Sequence, residues 1–391
     1  MRRRNLLNTG TTGVLSLSST SGTANATASS KSFTVKWNDV ALKDSSVVVS
    51  SDQSWATPTW TASSSTVKVT CTSNTDLTST RSATITVTYQ GVSATYTLTQ
   101  SKGTLSLSST TGNACGASNS TTFMIYVNGS TYTGTSTVSD NASWVTTSKS
   151  SGTVTVSYTA NTGTSTSGSS RTATITVTVQ GVSATYTLTQ NYAMKITSLP
   201  YDGTVDGYKY VTLGGLKWCI NNVGASSDGA VGNYYAWGET STKSTYTKNN
   251  YKFGSSSSNL TKYNATDGLV NLELTDDAAR VNMGGSWRMP TSSEATTLQS
   301  NTNYTSAVYG TTIGGLFIDK SNTSKYIFIP NGGAKINSSR EWEDNGYVWH
   351  ATRRTQSTMI YMADCIGISC TYDNTATHER NRGVPVRGVH A

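Results

Sequence analysis

The chain has 391 residues and a net charge of +8, and only 13% of its residues are charged. At roughly 100–200 residues per domain, this length predicts two to four domains. The basic residues are scattered and lack interleaved aromatic residues, so we expect no nucleic-acid partner. No apolar run is long enough for insertion into a membrane. The abundance of Ser, Thr and Val predicts a mainly β protein.

The first segment, residues 1–13, reads "MRRRNLLNTGTTG". It has a basic start but lacks the apolar stretch of a secretory signal. Two interpretations remain open for it, an attachment segment and an unstructured terminus. Because there is no export signal and the number of cysteines is odd, at five, we expect reduced thiols rather than a disulfide framework.

The next region contains an internal repeat. "LSLSSTSG" at Leu15 recurs as "LSLSSTTG" at Leu105, and "RSATITVTYQGVSATYTLTQ" at Arg81 recurs almost unchanged at Arg171. Each copy alternates apolar and polar residues on both sides of a Gln-Gly turn, which predicts a β-hairpin. Several short strands per copy predict two tandem immunoglobulin-like (Ig-like) sandwiches, over residues 14–100 and 101–190.

These motifs, together with a mid-repeat Ser-Trp pair ending at Trp55 and Trp144, resemble the BACON family of Ig-like modules from Bacteroidota and their phages. The resemblance implies either carbohydrate binding or a spacer role. Neither copy has an evident aromatic platform, and Trp37 and Trp60 of the first copy lack aromatic equivalents in the second. We therefore favour the spacer role, with the Ser-Trp tryptophans as core anchors.

A change of composition at residues 191–203 predicts a linker, and residues 204–391 form a separate domain. Its motifs are "YVTLGGLKWCINNVGA", "GNYYAWGET", "TDDAARVNMGGSWRMPT" and "GYVWHAT", followed by a closing "GVPVRGV". Thr275 is expected to cap a helical turn. Thr291 with Glu294 predicts a second helix that begins with a capping box.

In this order the four motifs resemble the Fibrobacter-type paralogous domain, a branch of the C-type-lectin-like fold. That branch includes formylglycine-generating enzymes and the variable proteins of diversity-generating retroelements. The expected fold is mainly β: two tandem Ig-like β-sandwiches followed by an α+β C-type-lectin-like domain. The resemblance assigns scaffold roles to Trp218, Trp237, Trp287, Trp349, Arg380 and Arg387.

In the related variable proteins, the last part of the fold alternates scaffold positions with free positions that point outward and bind ligand. Here the spacing of Ala363, Ile366 and Ile368 predicts an apolar alternation that faces one side. The variable region implied by the resemblance spans about residues 347–382. Its predicted ligand-binding residues are Tyr347, His350, Arg353, Arg354, Gln356, Asp364, Cys365, Gly367, Cys370, Tyr372, Asn374, His378, Asn381 and Arg382.

Other chemistry finds less support in the sequence. Cys365 and Cys370 with two distant histidines lack the ligand spacing of a zinc site. The copper site of formylglycine-generating enzymes needs paired cysteines near the closing strand, where this chain has none, and no local motif supports a Cys–His nucleophile. Glu343, Asp344 and Asn345 are a weak calcium signal that an ordinary turn explains better. We expect no metal, no cofactor and no enzymatic activity.

The resemblances together imply a receptor-binding or adhesion protein of a Bacteroidota phage or prophage. It would display a diversified ligand-binding surface on Ig-like spacers at the virion surface, as part of a tail fibre or another appendage, after synthesis in the bacterial cytoplasm. The expected partners are a bacterial surface receptor, protein or glycan, and other virion proteins. Fibres of this kind are often homotrimers, but no heptad segment imposes a trimer here. The alternative is a glycan-binding protein on a Bacteroidota cell surface, in which the repeats bind polysaccharide or mucin.

Overall fold

The computed structural model describes residues 13–356 and 359–391, so the predicted attachment segment lies outside the described residues except for Gly13. The fold is mainly β, as the composition predicts. The described chain divides into two compact units. The first holds the residues up to Thr111 with Ser120–Ser157 and Thr174–Thr187, and the second holds Gly112–Asn119, Tyr158–Ala173 and Leu188–Ala391.

The first repeat is a sandwich of two sheets whose alternating apolar residues meet between them. One sheet has the order β1-β3-β7-β6 with β4 beside β3, and the other has the order β2-β9-β8-β5. Gln90 and Gly91 form the predicted hairpin turn with positive φ angles of 49° and 80°. The strands are β1 Leu15–Leu17, β2 Ser21–Ala24, β3 Ser29–Trp37, β4 Val40–Ala41, β5 Val48–Ser51, β6 Ala56–Thr61, β7 Thr66–Cys71, β8 Arg81–Tyr89 and β9 Val92–Gln100.

The second repeat has the same strand order, with one added strand. Its sheets run β10-β12-β16-β15, with β13 beside β12, and β11-β19-β18-β14. Both repeats are therefore Ig-like, as predicted. The strands are β10 Leu105–Leu107, β11 Thr111–Ala114, β12 Asn119–Val127, β13 Ser130–Thr131, β14 Thr137–Asp140, β15 Val145–Ser150, β16 Thr153–Tyr158, β17 Thr162–Gly163, β18 Arg171–Val179 and β19 Val182–Gln190.

Within the first unit, Leu77 joins the two repeats. Its side chain is buried, and its N–H donates to Oε1 of Gln180 in the hairpin turn of the second repeat (2.9 Å). Gly103 lies so close to Leu77 that a Cβ at this position would be 3.0 Å from Leu77 Cδ2. The equivalent glycine of the first repeat, Gly13, lies against Trp37, and a Cβ there would collide with the indole ring. Trp37 thus fills, in the first repeat, the space that Leu77 fills next to the second.

The C-terminal region combines two short helices with several small sheets. The sheet orders are β17-β20-β25-β26-β27, β21-β22-β23-β34, β24-β33, β28-β29 and β30-β31-β32. The elements are β20 Ala193–Ile196, β21 Gly203–Val205, β22 Tyr208–Leu213, β23 Leu216–Asn222, β24 Tyr234–Tyr235, α1 Ala278–Met283, α2 Ser292–Asn301, β25 Thr302–Tyr309, β26 Thr312–Asp319, β27 Tyr326–Pro330, β28 Ala334–Ile336, β29 Ser339–Glu341, β30 Gly346–Arg353, β31 Met362–Ile368, β32 Asp373–Glu379, β33 Val384–Pro385 and β34 Arg387–His390.

The predicted linker, residues 191–203, is not a free connection. It contains β20, which pairs in parallel with β17 of the second repeat and with β25. Ala193 and Ile196 are buried in that sheet. A short apolar strand inside a polar segment explains why composition alone suggested a linker.

The two helices begin at side-chain caps. Thr291 and Glu294 form the predicted capping box of α2. The first helix, α1, is instead capped by Asp277, whose carboxylate accepts the N–H of Arg280 (2.9 Å). The expected cap Thr275 lies in a preceding 3₁₀ turn, Leu274–Asp276, because Asp277 is better placed for the first helical N–H groups. Neither helix, nor any other described one, has the length and apolar character needed to span a bilayer.

One disulfide corrects the expectation of reduced thiols. Cys115 of the second repeat is bonded to Cys370 in the turn between β31 and β32, with the two Cα atoms 5.3 Å apart. Both residues belong to the second compact unit. The pair is separated by 255 residues, so no spacing rule could indicate it. The remaining cysteines, Cys71, Cys219 and Cys365, are free and buried.

Candidate ligand-binding face

The predicted variable region coincides with the three-stranded sheet β30-β31-β32. Tyr347, Gly367 and Asn374 lie side by side across its three strands, and Trp349, Cys365 and Ala376 form the next row on the same face. A bulge interrupts the pairing of β30 with β31 after Trp349. The register therefore assigns each paired residue of β30, β31 and β32 to one of two sheet faces.

The central strand β31 is covered on both faces. Ala363 and Cys365 belong to one buried cluster, while Ile366 and Ile368 belong to another. The expectation that Ala363, Ile366 and Ile368 face one side is therefore wrong, because residue 363 has the opposite parity to the two isoleucines. Two apolar layers clamp this strand, and that leaves it no outward face for ligand contact.

Half of the predicted ligand-binding residues are consequently buried. The expectation that these side chains point outward is wrong, since the layers on both sides of β31 and the loops around β30 cover them. They are His350, Arg353, Asp364, Cys365, Gly367, His378 and Asn381. These residues pack inside the domain and do not form the surface of the sheet.

His350 belongs to a buried polar cluster under the N-terminus of α2. Ser292 Oγ donates to Asp364 Oδ2 (3.0 Å) and lies 3.1 Å from His350 Nδ1. Burial, with the nearby positive charge of Arg354, lowers the pKa of His350 to about 3, so the imidazole is neutral. The serine lies between the histidine and the carboxylate, whereas activation of a nucleophile requires the histidine in the middle. We interpret the cluster as a brace between α2 and the sheet.

The buried arginines bind main-chain carbonyl groups. Arg353 donates to the carbonyls of Leu269 and Asn264 at 2.7 and 3.0 Å. Arg380, predicted as scaffold, donates to the carbonyl of Tyr263 (3.0 Å) and lies over the ring of Trp237. Arg387 binds Asn222 Oδ1 and the carbonyl of Phe328. Arg353 and Arg380 therefore hold loops against the core, and Arg387 joins β34 to β23 and β27.

The predicted scaffold tryptophans lie in the two cores. Trp237, Trp287 and Trp349 share one cluster and Trp218 lies in the other, each exposed by 1% or less. The indole N–H of Trp349 donates to the carbonyl of Tyr235 at 2.8 Å. A stacked ligand has no access to any of these four rings.

The surface of the region is formed by the other half of the predicted residues, which are exposed or half-buried. They are Tyr347, Arg354, Gln356, Cys370, Tyr372, Asn374 and Arg382. Arg354 is engaged in an ion pair with Asp364, and Cys370 in the disulfide. Tyr372 is 52% exposed at the start of β32.

The sequence analysis missed the most prominent aromatic residue of this surface, Trp342. It is 43% exposed and has a left-handed backbone with φ of 55°. Such a conformation costs a non-glycine residue about 1 kcal/mol, and strain of this kind is concentrated at functional sites. Its neighbours Glu343 and Asp344 drew attention to calcium, so the exposed ring itself was overlooked.

Trp342 forms a cluster that we call the aromatic patch, consisting of Trp342, Tyr347, His378 and Arg382. The indole stacks on the His378 ring (5.3 Å between centroids), and Tyr347 meets the same ring edge-on (4.4 Å). The Arg382 guanidinium lies over the indole at 5.0 Å, and its Nη1 is 3.2 Å from His378 Nδ1. A guanidinium only donates, so His378 Nδ1 is the acceptor and Nε2 carries the hydrogen.

The patch is electrically simple. Burial and the neighbouring Arg382 lower the pKa of His378 to about 4, so the imidazole is neutral near pH 7 and the positive charge belongs to Arg382. The patch offers a partner a partly exposed indole, a phenol and the Arg382 guanidinium, which also lies 3.7 Å from the Glu379 carboxylate. Aromatic residues and arginine are the types that contribute most to protein-binding hot spots.

The acidic turn next to the patch is engaged in internal bonds. Arg340 Nη2 binds the carboxylate of Glu343, the carbonyl of Asp344 accepts from Asn331 (2.7 Å), and the N–H of Asn345 donates to the carbonyl of Trp342 (2.9 Å). Within residues 13–356 and 359–391, no three His, Cys, Asp or Glu side chains converge as a metal site would require. Cys370, one of the zinc candidates, is the disulfide partner of Cys115.

Comparison with known families identifies one region of the chain. Residues 45–101 match the BACON family. The family is described as a putative binding domain, N-terminal, and the match covers about the last two thirds of the first repeat. No curated protein sequence matches the chain.

Solved structures resemble the chain only weakly. Titin domains A168–A170 are 11% identical over 48% of this chain and 68% of theirs, with a TM-score of 0.32. The endo-fucoidan hydrolase MfFcnA4 of glycoside hydrolase family 107 is 12% identical to this chain, with a TM-score of 0.26. The aligned part covers 46% of this chain but only 28% of the hydrolase. A protein from Bacteroides thetaiotaomicron is 17% identical over 22% of this chain and 86% of its own (TM-score 0.18).

The first repeat has an aromatic cluster that the second repeat lacks. Trp37 meets Tyr89 edge-on (5.1 Å), Tyr89 Oη donates to Asp44 Oδ2 (3.0 Å), and the Trp60 indole donates to the Asp44 carbonyl (2.9 Å). Val127 and Val179 replace Trp37 and Tyr89 in the second repeat. A recess of about 490 Å³ lies between Trp37 and residues 40–45. The half-buried Trp37 is a second surface with binding chemistry.

Proposed function

We propose that this chain is a receptor-binding adhesion protein. Its C-terminal region binds a bacterial surface receptor, and its two Ig-like repeats act as spacers. The observation that carries the proposal is the aromatic patch, in which a strained, exposed tryptophan and an arginine are held by a buried histidine. Reversible binding needs a rigid group of aromatic and cationic side chains rather than a reactive centre.

The patch is also preorganised. His378 lies in β32 and Tyr347 in β30, so two strands of one sheet place these rings. Arg382 contacts both the Trp342 indole and His378 Nδ1. Side chains that are already ordered lose little conformational entropy on binding, and this favours affinity.

The finer assignment, a tail fibre or other virion appendage of a Bacteroidota phage with a diversified C-type-lectin-like face, rests on the sequence resemblance. Sequencing of the coding DNA and of the genes around it tests this assignment. We expect a near-copy of the segment that encodes residues 347–389 close to the gene, with differences confined to template adenines, and a reverse transcriptase gene nearby. If the template copy and the transcriptase gene are both missing, diversification is ruled out and general receptor binding remains.

Receptor binding itself is tested with the full chain, labelled and titrated onto a panel of intact Bacteroidota cells. The change Trp342→Ala should weaken binding to any responsive strain about tenfold or more, because truncation of a hot-spot tryptophan typically costs at least about 2 kcal/mol. The control is Tyr201→Ala, which removes another exposed aromatic ring, 53% accessible, from outside the patch. Binding that is lost equally in both variants, or in neither, would contradict the assignment of the patch.

Glycan binding by the BACON repeat is a second candidate function, and the Trp37 recess favours it. Aromatic rings beside a recess suit the apolar face of a sugar ring. A glycan array probed with the full chain distinguishes the two candidates. Loss of the glycan signal in Trp37→Ala but not in Trp342→Ala would show that the first repeat binds glycan and would favour the second candidate function.

A further inference from the structure

The exposed edges of the sheets are almost all blocked. An edge strand offers unpaired N–H and C=O groups to other chains, so natural proteins shorten, bend, cover or interrupt their edges. Most edge strands here have four residues or fewer. Among the longer ones, β6 contains Pro58, β15 contains Lys149 and β27 ends at Pro330.

The other side of the ligand-binding sheet is blocked as well. The outer edge of β30 is bulged, and neighbouring loops cover it. The carbonyl of Ala351 accepts the N–H of Leu272 (2.9 Å), the N–H of Ala351 donates to the carbonyl of Pro290 (2.7 Å), and the N–H of Arg353 donates to the carbonyl of Val270 (2.9 Å). The Ala351–Arg353 end of β30 is therefore already occupied by loop backbone.

In the part of the chain that the structure describes, the opposite edge, strand β32, has neither a bulge nor a covering loop. Its charged residues, Asp373 and Glu379, lie only at its two ends. Its seven residues, "DNTATHE", pair with β31 in one unbroken register without a bulge. It contains neither proline nor lysine. Within the described residues, no main-chain group outside β31 bonds to the backbone of residues 373–378. In that part of the chain, β32 is the longest edge strand that is neither interrupted nor covered.

The strand is also held rigid at its beginning. The preceding turn carries the Cys115–Cys370 disulfide, and Tyr304 Oη donates to the carbonyl of Ser369 in the same turn. The N–H of Ser369 donates to the carbonyl of Tyr372 (2.8 Å). An ordered edge pairs with an incoming strand at a lower entropic cost than a mobile one.

The side chains of β32 separate into two faces. Asn374, Ala376 and His378 lie on the face of the aromatic patch, and the alternate residues, including Thr375 and Thr377, lie on the other. A strand added beside β32 would therefore place every second side chain on the face of the aromatic patch, and those opposite His378 would lie closest to Trp342 and Arg382. The remaining side chains would lie beside small threonines, which leave room for them.

We propose that β32 accepts an extended polypeptide segment of the receptor as a fourth strand of the β30-β31-β32 sheet. This inference rests on the proposed receptor-binding function and names the receptor as a protein. Main-chain hydrogen bonds to the free edge supply affinity, and the aromatic patch selects the side chains on one face of the added segment. The preferred segment alternates, with apolar or aromatic residues at every second position.

The probe for the test is a displayed library of random twelve-residue peptides, selected on the full chain. We expect enrichment of alternating sequences without proline. N-methylation of successive amides of an enriched peptide should give a period of two. Methylated amides that point towards β32 should lower affinity about tenfold or more, and their neighbours should have little effect.

A matched pair of variants tests the same point from the protein side. In an antiparallel pair, successive N–H groups point alternately to the partner strand and away from it. One of Thr375→Pro and Ala376→Pro therefore breaks the pairing with β31, and the other removes an outward N–H only. We expect the second variant to keep the wild-type melting temperature and to lose peptide binding about tenfold or more.

Three results would overturn the proposal: no peptide enrichment, N-methylation effects without a period of two, or full binding by the well-folded proline variant. These failures are distinguishable from failure of the proposed function. A chain that still binds cells through Trp342, but tolerates the proline, recognises its receptor by side chains alone or recognises a glycan.

Discussion

At the residue scale, the decisive feature is that polar and ionisable side chains are buried under the sheet. The sequence shows that the region of His350, Asp364 and His378 has a more varied composition than the repeats before it. It could not show that they point inward, because alternation gives the parity of a strand residue but not which faces are covered. Trp342 was missed for the converse reason, since a tryptophan in a turn of acidic residues has no periodicity that indicates exposure.

The two buried histidines predict a loss of stability in acid. In the folded chain their pKa values are about 3 for His350 and about 4 for His378, against 6.5 for an unperturbed histidine. Below pH 6.5 the two histidines bind protons in the unfolded chain but stay neutral in the folded chain. The free energy of unfolding therefore falls as the pH falls towards 4. Each unit of pKa difference corresponds to about 1.4 kcal/mol, which gives an expected loss on the order of several kcal/mol.

Urea unfolding at pH 7, 6, 5 and 4 measures this loss. The double variant His350→Asn, His378→Asn should be less stable at pH 7, because it loses buried contacts, but should show a flatter pH dependence than the parent chain. An unchanged slope would assign the acid sensitivity to carboxylates instead.

At the scale of elements, local signals were predicted well and long-range ones were not. The capping box of α2 involves residues three apart, and the Gln90-Gly91 hairpin is set by its own turn, so both were evident from the sequence. The cap of α1 was misplaced by two residues, since Thr275 and Asp277 are both good caps and only the fold decides between them. The strand β20 was mistaken for linker because four residues are too few to show a period.

One buried apolar residue lies at the junction between the repeats. Leu77 is buried, and its backbone N–H pairs with Gln180. We expect Leu77→Ala to lower the free energy of unfolding by about 2–5 kcal/mol, the usual cost of emptying a buried leucine site. Val40→Ala is the control, because Val40 is 70% exposed and its truncation should change stability little. Equal stability of the two variants would show that the repeats do not depend on this junction.

At the scale of the whole molecule, the two-repeat architecture was predictable because the same motifs occur twice in the sequence. The contact between Cys115 and Cys370 was not, because it joins segments 255 residues apart. The same limit applies to the aromatic patch, whose four residues come from a loop, two strands and the segment that follows β32. Sequence reasoning predicted a binding face in this region, whereas the choice of residues that reach its surface depends on tertiary packing.

The disulfide gives a direct test of this tertiary arrangement. Peptide mapping of the unreduced chain should yield a cross-linked pair that contains Cys115 and Cys370. Cys115→Ser should lower stability by about 2–5 kcal/mol, as is typical when a native disulfide is removed. The double variant Cys115→Ser, Cys370→Ser should be insensitive to reductant. Two free thiols at these positions in the air-oxidised chain would contradict the link.

The position of that bond also matters when the molecule is pulled. A receptor held at β32, as proposed, would apply its load a few residues from Cys370, and the disulfide would pass the load to Cys115 in the second repeat. This path bypasses residues 116–369, so the domain that carries the aromatic patch would not need to stretch or unfold under tension. The load would reach the second repeat through the disulfide and not through the intervening main chain.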